Sequence, residues 1–311
     1  MTFVESKQPL KYDKAMNTTP TQSPSLLVTG ATGTIGQELT RLLSERGIPF
    51  RAMVRSPKDA QALTALAGAE VVAGDFNDPA SMAQALQGIE RAFLLTNSSE
   101  STESQQLAFV AEAQKAGVHH LVKQSQLSAS LDSPVRFLRY HAVVEQAVQA
   151  SGMDFTFLRP NLFMQGLLAF QKSIAEQGQF FAPIGDAKVS VIDIRDIAAA
   201  AAAALTEEGH AGKIYTLTGP EALTHAQMAD QLSTALGQHI TFVDIAPEAM
   251  RQALLGFGFP TWQADGLIED YAHYSRNEAS AIESGVQDAT GQLPWSFADF
   301  ARDFAPAFRN A

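Results

Sequence analysis

The stretch Leu26-Leu27-Val28-Thr29-Gly30-Ala31-Thr32-Gly33-Thr34-Ile35-Gly36 is an apolar run that ends in three glycines spaced three apart and leads straight into a helical pattern. It reads as a dinucleotide clamp. Gly30 lets the chain turn sharply at a strand's end, Gly33 lets the backbone approach a pyrophosphate with no Cβ in the way, and Gly36 lets helix pack closely on strand. The free N–H groups of the helix's first turn and the positive end of its dipole then favour an anion without a basic side chain. Thr32, Thr34 and Ile35 lie between the glycines and are counted with them as cofactor contacts.

Twenty-one glycines in 311 residues produce chance spacings, so the flanking context has to separate this reading from a merely structural glycine turn. Leu26 to Thr29 has the length of a buried strand; Ile35, Leu39, Leu42 and Leu43 recur at helical spacing, and Gly47 stands where a helix closes. A second strand, Phe50 to Val54, follows at once. An NAD site usually carries Asp or Glu after that strand to bind the ribose 2′-hydroxyl. Here the place holds Arg55, followed by Ser56 and Lys58, groups suited to a 2′-phosphate by charge-assisted hydrogen bonds. NADP(H) is therefore expected in preference to NAD(H); the alternative is that Arg55 and Lys58 are simply solvated surface charges.

Composition excludes several classes. Lys and Arg number 22 against 33 Asp and Glu, a net charge of −11 with no basic cluster, which argues against nucleic acid as a partner. The longest bland stretch, Ile197 to Leu205, is mostly alanine and far shorter than the roughly 20 apolar residues of a membrane span. With no cysteine there is neither disulfide nor thiolate chemistry, which fits a cytoplasmic location. No metal site is expected, because the seven histidines include only an adjacent pair, His119-His120, and no His-x-x-x-His spacing. Neither a Gly-x-Ser-x-Gly elbow nor a Gly-Lys-Ser/Thr phosphate loop is present. Residues 1–25, polar and punctuated by Pro9, Pro20 and Pro24, read as a disordered leader, and Met16 offers a second possible start.

Strand and helix signals alternate after Arg55. Strands are expected at Glu70 to Ala73, Arg91 to Thr96, Leu121 to Gln124 and Phe155 to Leu158, with helices at Ser81 to Leu86, opened by Asp78-Pro79, and Ser104 to Ala116, stopped by Gly117. This is the doubly wound α/β pattern with a parallel sheet, whose ligand site lies beyond the carboxyl ends of the strands. Residues 26–160 form the NAD(P)-binding Rossmann domain in this reading. Residues 161–311 form a smaller mixed lobe for substrate, some of whose segments return to the sheet. Within it, Leu162 to Glu176 reads as helix, Lys188 to Ile192 as extended, and Asp196 as the cap of an alanine-rich helix through Leu205. Lys213 to Leu217 is a strand, followed by helices at His225 to Leu236, Pro247 to Leu255 and Trp262 to Tyr274.

Four motifs make the chain resemble the NmrA-like branch of the atypical short-chain dehydrogenase/reductases, from about Leu26 to the C-terminus. They are Val28 to Gly36, Val54-Arg55, Gly74-Asp75-Phe76, and His141-Ala-Val-Val-Glu145 leading to Thr156-Phe157-Leu158-Arg159-Pro160-Asn161. The resemblance implies that Asp75 and Phe76 lie against the adenine, that Thr96 and Asn97 border the ribose and nicotinamide, and that Pro160, Asn161 and Phe163, with Met164, meet the nicotinamide and substrate. One departure stands out. Family members ordinarily place Tyr and Lys four apart on one helix; here Phe137 takes the tyrosine place, His141 takes the lysine place, and Tyr140 is displaced by three residues.

His141 then has two readings: a group that hydrogen-bonds the nicotinamide ribose or donates a proton, or a local partner of Glu145 one turn later. Lys123, with Gln124 and Ser125 at the end of the fifth strand, is either a cofactor or substrate contact or a surface lysine. His141 and Lys123 are the catalytic candidates. Aromatic residues Phe181, Phe257, Trp262 and Tyr274 could wall a flat pocket, though each by itself is better read as core. The expected activity is hydride transfer from NADPH to a planar, electron-poor acceptor such as a quinone, an azo or triphenylmethane dye or a conjugated enone. The alternative is a non-catalytic NADP(H) sensor acting on a protein partner. Oligomeric state is left open.

Overall fold

A computed structural model of the chain describes residues 24–309, so the leader reading, apart from Pro24 and Ser25, lies outside the described residues. The first half alternates β1 (Leu26–Val28), α1 (Thr34–Glu45), β2 (Phe50–Val54), α2 (Gln61–Thr64), β3 (Ala69–Ala73), α3 (Pro79–Ala85), β4 (Arg91–Leu94), α4 (Thr102–Ala116), β5 (His120–Gln124), α5 (Arg136–Ala150) and β6 (Asp154–Pro160). The second half runs α6 (Gln171–Gln177), β7 (Gln179–Ala182), β8 (Lys188–Val189), α7 (Ile194–Thr206), β9 (Lys213–Leu217), β10 (Leu223–Thr224) and α8 (His225–Leu236). It continues with β11 (Thr241–Asp244), α9 (Pro247–Gly256), α10 (Thr261–Ser275), α11 (Gly285–Thr290) and α12 (Phe297–Arg309).

Seven strands form one parallel sheet in the order β3-β2-β1-β4-β5-β6-β9. The order reverses between β1 and β4, and a crevice opens at that switch point. Side chains of β1 alternate as a pleat requires: Leu26 and Val28 pack toward α1 and α7, while Leu27 packs with Met82, Phe109 and Val144 from α3, α4 and α5. Gly47, at φ +69°, ends α1 as its sequence position implies. Asp78 caps α3, its carboxylate accepting from Ala80 N.

The alanines of α7 are buried from Ala200 to Ala204, small enough to let this helix lie close beside α1. Its cap is Asp193, which accepts from Arg195 N at 2.9 Å, and Asp196 one turn later accepts instead from Trp295 N. The expectation for Asp196 is therefore corrected: a second carboxylate three residues upstream already occupies the cap. The expected helix from Leu162 to Glu176 is also interrupted. Phe163 is extended and bridges to Ile192; Met164–Phe170 is a 3₁₀ stretch, and only then does α6 begin.

Beyond β6 the chain builds a lobe around Met164, Phe180, Val189, Leu232, Tyr274, Phe297 and Phe300, roofed by α6, α8 and α12. Two short pairs, β7 with β11 and β8 with β10, hold it. Strand β9 then returns to the large sheet beside β6. Among the described residues no helix is long and apolar enough to cross a membrane.

Candidate active site

A cleft of about 620 Å³ runs along the carboxyl ends of the large sheet and under α10. At one end the glycine turn is built as its spacing implies. Gly30 sits at φ +63°, where an added Cβ would also lie 2.9 Å from Leu95 O; at Gly36 it would lie 2.1 Å from Gly30 O, and at Gly33 3.3 Å from the same oxygen. Helix α1 starts at Gly33 with no side-chain cap and no acid in its first turn. Its leading amides thus have no anionic competitor, and a pyrophosphate fits both the space and the donors. Thr29 Oγ1 accepts from Leu95 N at 2.9 Å and fixes the facing wall.

Gly30, Thr32, Gly33, Thr34 and Ile35 line this end, and Arg55, Asp75, Phe76, Thr96 and Asn97 continue it. Gly36 lies behind the lining, in the helix-to-turn contact. Arg55 is exposed and makes no ion pair among the described residues, whereas Lys58 is exposed but not part of the cleft wall. Asp75 closes a turn, its Oδ1 accepting from Asn77 N at 2.8 Å, and Phe76 is braced on Phe109. Thr96 Oγ1 accepts from Gln106 Nε2 at 2.7 Å.

The other end is organised by α5 and the ends of β5 and β6. His141, Pro160, Asn161 and Phe163 line it, but Lys123 does not: its side chain is fully buried behind His141, donating to Gln124 O at 2.9 Å and lying 2.7 Å from His141 Nδ1. Burial lowers Lys123 to about 7, and burial together with Lys123 pushes His141 well below the usual histidine range. A neutral imidazole whose Nδ1 accepts from Lys123 carries its proton on Nε2, so His141 offers the cleft a hydrogen-bond donor. Burial and Lys123 disfavour the imidazolium, which weighs against reading His141 as a titrating proton donor. Nor does it pair with Glu145. Glu145 accepts from Ser125 Oγ at 2.5 Å and forms an ion pair with Arg159, and this staples α5 across β5 and β6. The motif residues Glu145 and Arg159 thereby acquire a positional meaning.

Asn161 spends its amide on Ser190 Oγ and Ala279 O, so its contribution to the wall is mainly backbone. Met164 points into the lobe core rather than the cleft. Tyr140 is committed to Ser98 Oγ at 2.9 Å and raised by burial, while Phe137 packs on Trp262 and Tyr140 and lines the cleft. Of the aromatic candidates Tyr274 reaches the cleft; Trp262 packs with Phe137, Phe181 lies in the lobe, and Phe257 is exposed. Sequence reasoning missed Gln126, Leu267 and Asp270, which close the cleft from the side of α10. A signal existed for Asp270. It stands on the apolar stripe Ala264, Leu267, Tyr271 and Tyr274, where a carboxylate has no structural reason to be.

A glycine turn feeding an uncapped helix at the switch point of a parallel sheet defines a dinucleotide-binding protein of the Rossmann type. The chain belongs to the NmrA-like family, whose sequence model matches residues 22–301. It is 41% identical over 286 residues, 92% of its own length and 100% of the relative's, to an NAD(P)H azoreductase of Xenophilus azovorans. It superposes on an NADPH-dependent quinone oxidoreductase of Escherichia coli solved with NADPH at a TM-score of 0.81 and 30% identity, covering 90% of this chain and 99% of that one. A triphenylmethane reductase of Citrobacter sp. complexed with NADP(H) gives 0.78 at 27% identity, covering 90% and 100%.

Proposed function

We propose that this protein is an NADPH-dependent reductase of planar, electron-poor acceptors: quinones, azo and triphenylmethane dyes or conjugated enones. The observation that carries the reading is that one continuous cleft joins the glycine cradle to a wall of Phe137, Phe163, Leu267 and Tyr274, flat and apolar enough for a ring system. The full-length likeness to an azoreductase and the fold match to a quinone oxidoreductase solved with NADPH support it.

NADPH, when bound, supplies the hydride. The chain's own residues bind and orient. The amides of Thr34 and Ile35 take the pyrophosphate, Arg55 takes the 2′-phosphate and so prefers NADP(H) to NAD(H), and Asp75 and Phe76 border the adenine. Lys123 holds His141 at the end of the cleft where the nicotinamide would lie. Such acceptors delocalise the incoming electron pair, so loss of the customary tyrosine is tolerable. The test is anaerobic stopped-flow oxidation of NADPH and NADH against quinones, azo dyes and triphenylmethane dyes. Turnover with at least one acceptor supports the reductase; tight NADPH binding without turnover supports a sensor.

A further inference from the structure

The described site contains a carboxylate that coenzyme binding does not need. Asp270, on α10, lines the cleft beside Leu267 and Tyr274 and is only 7% exposed. Gln126, in the loop just beyond β5, donates its amide to both carboxylate oxygens, at 2.9 and 2.8 Å, and Tyr274 Oη lies 3.2 Å from Oδ2. No Lys, Arg or His among the described residues forms an ion pair with it. We propose that Asp270 is the proton donor of the reduction, delivering its proton to the acceptor's heteroatom.

This rests on the reductase reading. The other candidates are less suited: Tyr140 is tied to Ser98, and burial beside Lys123 disfavours the charged, acidic form of His141. The charged and titratable groups that bear on Asp270 are Tyr140 from α5 and Glu269, Tyr271 and Tyr274 from its own helix, none of them a cation. Burial raises Asp270 to about 7, partly opposed by the Gln126 and Tyr274 hydrogen bonds. Burial without a neighbouring cation favours its protonated form, the form a general acid needs.

The balance is simple. NADPH is oxidised to NADP⁺ and the acceptor is reduced by two electrons; hydride forms one new bond, and the electron pair it displaces collects on a quinone oxygen or azo nitrogen. The Asp270 O–H bond breaks, an O–H or N–H bond forms on that atom, and the carboxylate regains its proton from water entering the cleft. A cationic triphenylmethane dye behaves differently. Its central carbon becomes neutral on gaining hydride and needs no proton.

The experiment compares the full-length protein with Asp270→Asn, which keeps the shape and a partner for Gln126, at about pH 6 with a quinone, an azo dye and a cationic triphenylmethane dye. The expected result is that Asp270→Asn lowers quinone and azo reduction about 100-fold more than triphenylmethane reduction. An equal loss with all three, or a selective loss that follows Lys123→Met and spares Asp270→Asn, overturns the proposal. A readout independent of turnover accompanies it. The infrared carbonyl band of a protonated carboxyl group should titrate near 7 in the unaltered protein and be missing in Asp270→Asn, and a protein without such a band overturns the assignment even if the variant fails to fold. If the unaltered protein turns over none of the acceptors while this band is present, it is the reductase reading that has failed, and with it the role given to Asp270.

Discussion

Lys123 Nζ lies 2.7 Å from His141 Nδ1 with no surface open to solvent, a lysine held entirely inside the fold to orient one imidazole. Burial lowers it to about 7 from the ordinary 10.5. Between those values the unfolded chain binds a proton that the folded chain does not, so stability rises with pH across that window and the full burial penalty stands below about 7. Lys123→Met is expected to be stabilising relative to the unaltered protein, by about 4 kcal/mol more near pH 6 than near pH 10. Urea unfolding at the two pH values checks this. Turnover should fall in the same variant, because His141 loses its fixed tautomer.

Gly33 and Gly36 differ in what a methyl group would strike. At Gly33 the new Cβ sits 3.3 Å from Gly30 O, a contact the turn can absorb, but it occupies the approach to the pyrophosphate. Gly33→Ala should weaken NADPH binding by about 10-fold or more with little change in melting temperature. At Gly36 the Cβ would be 2.1 Å from the same oxygen, so Gly36→Ala should cost about 1–3 kcal/mol of stability before any coenzyme is added. Calorimetry with and without NADPH separates the two.

Arg55→Ala should raise the dissociation constant for NADPH by about 10- to 100-fold, the worth of charge-assisted hydrogen bonds, while leaving NADH nearly unaffected. Equal losses for both coenzymes would assign Arg55 to the adenine or to folding instead. Fluorescence titration with each coenzyme measures it.

Glu145 is buried and bonded to both Ser125 and Arg159. Glu145→Ala leaves the Arg159 guanidinium, a quarter exposed, without its counter-charge, and a loss of about 3 kcal/mol is expected from denaturant unfolding. A variant at full stability would show that α5 is held by packing alone.

The glycine turn and the helix starts were legible because their signals are local: glycines three apart, Gly47 closing α1, Asp78-Pro79 ahead of α3. Counting back from Pro160 even located His141. Its partner was not legible, since Glu145 one helical turn away and Lys123 on β5 are equally plausible to a reader of spacing, and the choice is made by how α5 rolls against the sheet. Asp270 was less visible still. Its meaning depends on Gln126, 144 residues earlier in the chain, and no periodicity links a loop to a distant helix. Asp193 and Asp196 show the same limit at short range, where two carboxylates compete for one cap and tertiary contact with Trp295 claims the second.

Strand β9 reaches the large sheet only after the chain has left it to build part of the lobe, and α7, laid beside α1, belongs to the same return. An engineer wishing to transplant a relative's acceptor preference could not cut once after β6, since that would strip the sheet of its last strand and one of its covering helices. The exchangeable material comes as three pieces, roughly 161–193, 218–284 and α12 (Phe297–Arg309), with the stretches between them left in place.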